Sequence, residues 1–356
     1  MSNEKRSAYS RLKIFAHPQK VQDLLEDRVS APVRIRIKPT NNCNHKCFYC
    51  IYDPSVGNMH IAINRNDEIP REKMMEILDN LNIMGVKAIT WTGGGEPLIY
   101  PHIEEALEKT IRYGIDFAIL TNGQALEGRK AELLADAKFV RVSVDSVNSE
   151  QFERIRRKSG KLFHRLIKNI GDFARTRKPE CEYGVSFLIN KENSNSVYEA
   201  ARLFKQLGLE RIRFAPIWTK EGSAYHDSIR QDVNEQIARA RQDFEDKNFE
   251  VYDTYGSFFD IQGRSQRTYS KCYRMQINPV IAADCGVYFC QNKAYDPSGL
   301  LGFIKDRSFK ELWFSKEAAE KFKTFNPKEV CKHQCTHDQK NIDMHEVKNS
   351  MGDNFA

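Results

Sequence analysis

Three cysteines fall within one ten-residue stretch, NNCNHKCFYC at 41–50. Cys43, Cys47 and Cys50 offer three thiolates to one centre, whereas most metal centres take four ligands. A [4Fe–4S] cube held by three thiolates keeps one iron open, and an open position marks a catalytic metal rather than a structural one. His45 is either a fourth ligand or a turn residue between the cysteines. A three-cysteine zinc site and a chance group of reduced thiols are the alternatives, although the C-x3-C-x2-C spacing departs from the paired C-x2-C of zinc ribbons. A second stretch, TGGGEP at 92–97, sharpens the choice. Gly93, Gly94 and Gly95 let the backbone approach a ligand closely, and Glu96 supplies a carboxylate for a cation such as an amino group. Five more cysteines, Cys272, Cys285, Cys290, Cys331 and Cys335, gather near the C-terminus. Cys331, His333, Cys335 and His337 form a local zinc alternative there. Cys181 begins an apolar run and reads as a small buried hydrophobe.

These residues need elements to position them. From about residue 33 to 220, β-rich runs alternate with amphipathic stretches: VRIRIK (33–38), AITW (88–91), DFAIL (116–120), FVRVSV (139–144), YGVSFLI (183–189) and RIRFAPI (211–217). Met74, Ile77, Leu78 and Leu81 recur at helical spacing between Pro70 and Gly85, and Val197, Ala200, Ala201, Phe204 and Leu207 do so before Gly208. Six strands alternating with helices predict an α/β fold with a parallel sheet, doubly wound or a partial barrel, with ligand chemistry at the C-terminal strand ends. Every suspicious residue follows a strand. The cysteine loop follows the first, TGGGEP the second, Asn122 in TNG the third, and Ser143 and Asp145 end the fourth. Beyond residue 230 the rhythm stops; a helix over 232–248, a hairpin around 274–290 and one helix over 308–325 are expected. With 356 residues, two domains are comfortable.

The motif carries a family resemblance. Cys43, Cys47, Phe48 and Cys50 resemble the C-x3-C-aromatic-x-C hallmark of the radical S-adenosylmethionine (SAM) superfamily. GGEP at 94–97 and VSVDS at 142–146 resemble its further motifs. The resemblance implies a partial (β/α)6 barrel over 33–230, after an N-terminal extension over 1–32. It implies that Cys43, Cys47 and Cys50 hold a [4Fe–4S] cluster whose open iron chelates SAM, and that the reduced cluster cleaves SAM to a 5′-deoxyadenosyl radical. Tyr49 would lie near the adenine, and Gly94, Gly95 and Glu96 would bind the methionyl amino group. Ser143, Asn122 and Asn193 would complete the cofactor contacts. The C-terminal cysteines, with GLLGFIKDRSFKELWFS, resemble the SPASM/twitch extension. Cys272, Cys290, Cys331 and Cys335 would then ligate an auxiliary [4Fe–4S] cluster in a smaller α+β domain over 231–340, before a tail over 341–356. Cys285 is left over.

The resemblance leaves the reaction open among oxidation of an alcohol or amine carbon, perhaps on a sugar, epimerisation or another redox-neutral rearrangement, and peptide maturation. With about thirty residues before the first strand, a small-molecule substrate is expected. An external low-potential electron donor, such as flavodoxin or ferredoxin, is implied. A non-catalytic iron–sulfur carrier or assembly protein is the alternative of another class. The formal net charge of +7 lacks any basic run with interleaved aromatics, so no nucleic-acid partner is expected. No signal or membrane span is evident, and a cytoplasmic protein is expected, where clustered cysteines mean metal or catalysis.

Overall fold

The computed structural model describes residues 10–52, 61–260, 266–332, 335 and 337–351. His333, a member of the zinc alternative, lies outside them, as do the ends of the N-terminal extension and of the tail. Ten strands form one sheet: β1 (Arg34–Ile37), β2 (Ala88–Trp91), β3 (Asp116–Thr121), β4 (Phe139–Ser143), β5 (Glu182–Ile189), β6 (Arg211–Pro216), β7 (Glu250–Asp253), β8 (Val280–Ile281), β9 (Gly286–Tyr288) and β10 (Leu300–Phe303). Their order is β10-β9-β8-β1-β2-β3-β4-β5-β6-β7. Pairing is parallel from β8 through β1 to β7, and β8, β9 and β10 form an antiparallel meander.

The six expected strands form the heart of this sheet, and each has two different faces. Ile35, Ile37, Ile89, Trp91, Phe117, Ile119, Val140, Val142, Val185 and Phe187 share the main apolar core with the helices. The helix Arg71–Ile83 contributes Met74, Ile77, Leu78 and Leu81, all fully buried, and Gly85 then turns the chain with φ +72°, where a side chain would be strained. Removing any one of these large side chains from water stabilises the fold by about 1.5–3 kcal/mol. The opposite face of each strand avoids that core, and its residues are polar or cationic.

The C-terminal region joins this sheet instead of standing apart from it. β8 pairs with the free edge of β1, matching Arg36 with Val280 and Ile37 with Ile281. The expected hairpin is the β8–β9 turn, closed by Cys285 N–H donating to the Ala282 carbonyl at 2.9 Å. The single helix expected over 308–325 is two, Phe309–Trp313 and Lys316–Thr324. Ser315 breaks it, because its hydroxyl accepts from Ala318 N–H at 3.1 Å and so starts a second helix.

Candidate functional site

The three-cysteine loop leaves β1 and is pinned from below by a helix end. Lys46 N–H and Phe48 N–H donate to the carbonyls of Arg156 and Ile155 at 3.0 and 3.1 Å, at the C-terminus of the helix Ser149–Arg156. These bonds, with Cys50 N–H to the Cys47 carbonyl at 3.1 Å, fix the order in which the thiols are presented. Burial, reinforced by the negative charge of Glu96, pushes the Cys43 thiol up to about 12. Burial likewise raises Cys47, and Arg156 opposes it by donating to its sulfur at 3.1 Å. Thiols held this way lose their protons only to a metal that takes the charge, as a soft thiolate site for iron–sulfur requires. His45 turns away from them. Its ring meets Phe152 edge-on at 5.5 Å, and burial lowers it to about 3, so it stays neutral against the core.

The loop after β2 docks directly on the cysteine loop. Gly95 N–H and Glu96 N–H donate to the carbonyls of Thr40 and Asn42 at 3.1 and 2.8 Å. A Cβ on Gly95 would fall 1.8 Å from the Asn42 oxygen, and one on Gly94 would fall 2.4 Å from Asn41 Oδ1, so neither position admits a side chain. Glu96 is 2% exposed. Its carboxylate accepts from Leu98 N–H at 3.0 Å, Thr121 Oγ1 at 2.6 Å and Asn122 N–H at 2.7 Å, which ties together the loops after β2 and β3. Burial raises Glu96 against those three donors, and a cation docked beside it would favour the ionised form. Asn122 reaches across with its amide to Asn44 Oδ1 at 2.6 Å, so it links the third strand end to the cysteine loop.

Ser143 ends β4, and its carbonyl accepts from Arg156 Nη2 at 2.7 Å. Tyr49 donates its hydroxyl to Asp145. Asn193 is committed elsewhere: its amide donates to the carbonyls of Asp145 and Leu188 at 2.9 and 3.0 Å, while its oxygen accepts from Asn190 N–H at 2.8 Å. With both donors spent on the backbone, Asn193 braces the loop after β5 rather than reaching for a cofactor, which corrects its place among the expected contacts. The residue that the sequence hides is Arg156. It contacts Cys47 and Ser143 and pairs with Asp145 at 2.8 Å, with both side chains buried. Burial works against its charge, but Asp145, Tyr49 and Cys47 outweigh it and hold the guanidinium ionised.

Cys272, Cys290, Cys331 and Cys335 line a single cavity together with Arg267, Arg274, His337 and Asn341, and no carboxylate lines it. Burial and their mutual repulsion push Cys272 to about 12 and Cys290 to about 11. Among the described residues no three potential ligands are arranged for a single metal ion. A cube makes a different demand, since each iron takes one thiolate and the sulfurs stand around it rather than at one point. An all-thiol lining fits that demand. Cys181 is buried in the main core, as its sequence context suggests. Cys285 is buried in the same core, at the turn between β8 and β9. Among the described residues, no helix is long and apolar enough to cross a membrane.

Comparison with known proteins adds independent findings. A family model described as the radical SAM superfamily matches residues 37–204, and one described as an iron–sulfur cluster-binding domain matches residues 272–336. The GTP 3′,8-cyclase of Aquifex aeolicus is 26% identical over 311 residues, covering 82% of this chain and 92% of that protein. The GTP 3′,8-cyclase of Clostridium botulinum is 33% identical over 140 residues, covering 38% and 41%. Among solved structures, Streptococcus suis SuiB bound to its precursor peptide SuiA aligns with TM-score 0.64 at 17% identity, over 90% of this chain and 73% of that one. The sulfatase-maturase-like anSMEcpe with bound AdoMet aligns with TM-score 0.57 at 16% identity, over 90% and 96%. These two structural likenesses establish the shared fold.

Proposed function

Because this chain belongs to the radical SAM superfamily and carries an iron–sulfur cluster-binding domain behind its core, we propose that it abstracts hydrogen from a small-molecule substrate and oxidises an alcohol or amine carbon. The enzyme uses a [4Fe–4S] cluster, SAM, further iron–sulfur at the C-terminal cysteines and an electron donor, for which a flavodoxin or ferredoxin is the partner we favour. When bound, the first cluster supplies the electron that splits SAM into methionine and a 5′-deoxyadenosyl radical, and the second supplies an acceptor for the electron the substrate gives up. In this reading Cys43, Cys47 and Cys50 hold the first cluster, and Cys272, Cys290, Cys331 and Cys335 the second. Glu96 takes the SAM ammonium, and Gly94 and Gly95 give it room. Tyr49, Ser143 and Asn122 border the same space. Residues 33–230 form the catalytic core, and 231–340 the auxiliary unit.

The observation that carries the oxidative reading is the place of Cys285. Epimerisation by a thiol needs a free cysteine beside the substrate, and this one is 4% exposed within the apolar core. Four thiols instead share one cavity next to the free edge of β1, where an electron acceptor belongs. Cys290→Ala tests this: it should still release 5′-deoxyadenosine from SAM but form little oxidised product, and full product formation would overturn the acceptor role. A redox-neutral cyclisation on a nucleotide is the second reading, favoured by the length over which the Aquifex cyclase matches. A product isomeric with its substrate would decide for it.

A further inference from the structure

The face of the sheet turned away from the helices is charged in a way that the cluster sites do not use. Arg34, Arg36 and Lys38 occupy alternate positions along β1 and its end, so they share one face, while Ile35 and Ile37 between them enter the apolar core. Lys38 is fully buried. Its ammonium donates to Tyr52 Oη at 2.5 Å and lies 4.6 and 5.1 Å from the ring centres of Tyr52 and Tyr295, which leaves two of its three donors unspent. Arg36 Nε and Arg274 Nε are buried with no hydrogen-bond partner, and among the described residues no carboxylate forms an ion pair with Arg36, Lys38 or Arg274. Asp284 is the acid whose field reaches Lys38, and its oxygens are taken by Tyr288 Oη at 2.6 Å and Gly286 N–H at 2.9 Å.

Burial and the like charges of Arg34, Arg141 and Arg274 push Arg36 down to about 9. Burial and Arg36 push Lys38 to about 7. Cations crowded together without acids are costly unless a ligand compensates them. Their position is telling. Arg274 lies on the wall of the auxiliary cysteine cavity, and Tyr52 follows Cys50 by two residues and accepts from Gln291, the neighbour of Cys290, at 3.2 Å. The cationic stripe therefore runs between the two cysteine sites.

We propose that this stripe, centred on Arg36 and Lys38, is the substrate-binding surface and that it selects a small molecule bearing a phosphate or diphosphate group. This rests on the radical SAM reading above, in which the substrate sits between the two cluster sites. Two or more convergent cations call for a ligand with more than one negative charge, and a guanidinium beside an ammonium matches phosphate oxygens by fork and by point charge. A lone carboxylate would leave part of the charge uncompensated.

The test uses the cluster-loaded, oxygen-free protein with inorganic pyrophosphate as the probe, followed by calorimetry. Saturable binding is expected, and Arg36→Gln and Lys38→Met should each weaken it roughly tenfold to hundredfold. Arg36→Lys, which keeps the charge but loses the fork, should fall between wild type and Arg36→Gln. The midpoint potential of the auxiliary cluster, measured on the same variants, separates the competing explanation. If Arg36→Gln shifts that potential and leaves pyrophosphate binding intact, the cations serve to balance the cluster and the proposal is overturned. Absence of saturable pyrophosphate binding to wild type overturns it as well. Formation of 5′-deoxyadenosine from SAM is assayed in parallel: protein that cleaves SAM but ignores pyrophosphate sinks this inference alone, and protein that does neither sinks the functional reading beneath it.

Discussion

Replacing Glu96 by alanine should do two separable things. The carboxylate accepts three hydrogen bonds within the protein, at 2.6, 2.7 and 3.0 Å, two of them from backbone N–H groups of Asn122 and Leu98. Alanine leaves those two donors buried, at a cost of about 1–3 kcal/mol each, so a stability loss of ~2–5 kcal/mol is expected after some relief from water entering the vacated space. The same carboxylate faces the proposed ammonium of SAM, and a charge-assisted hydrogen bond contributes about 1.5–3 kcal/mol, or roughly ten- to hundredfold in affinity. Iron should be retained, because no thiol is removed. Glu96→Gln separates the effects: it keeps the volume and one acceptor oxygen, hence much of the stability, but loses the charge. Equilibrium binding of SAM to cluster-loaded protein, iron content and thermal melting are measured on all three proteins. SAM affinity unchanged in both variants would refute the placing of the ammonium at Glu96, whatever happens to stability.

Asp145→Asn should destabilise the protein by about 3–5 kcal/mol, because it leaves Arg156 buried without its 2.8 Å partner; a melting curve that moves little would show that Cys47 and Ser143 suffice to hold Arg156. Lys20, buried and donating to the Ser30 carbonyl and hydroxyl at 3.0 Å, is lowered by burial to about 8 against an ordinary 10.5. A base whose folded value lies below its unfolded one binds fewer protons when folded, so stability should rise between about pH 8 and 10.5, by ~3 kcal/mol in all. Denaturant unfolding of wild type against Lys20→Met should show that rise in the wild type only, and parallel pH profiles would contradict it.

The sequence displays what is local and hides what is not. Strands β1 to β6 and the helices between them are legible because their apolar residues keep fixed periods. The first metal site is legible because Cys43, Cys47 and Cys50 lie within one loop, so its chemistry is written in a single stretch. Arg156 lies 109 residues from Cys47 and sits in ERIRRKSG, a basic run that reads as solvated surface. Only the helix end docking under the cysteine loop turns it inward. Asn193 misleads for the opposite reason: a polar residue after a strand looks available until its amide is found bonded to the backbone. β8 has two residues, too few for any period, and its attachment to β1 joins positions 244 residues apart (36 and 280). That attachment is what sets the auxiliary cysteines beside the core. One signal was present and strong: VRIRIK alternates cations with isoleucines in a strand that a parallel sheet should bury on both faces.

The central claim is that this chain turns an open-iron cluster on SAM. The direct measurement is the formation of 5′-deoxyadenosine and methionine when oxygen-free, reconstituted and reduced protein is incubated with SAM. The account predicts both products from wild type and neither from Cys47→Ala, in which two thiolates cannot assemble the first cluster. Wild-type protein that holds its iron, accepts electrons and returns SAM intact would contradict it.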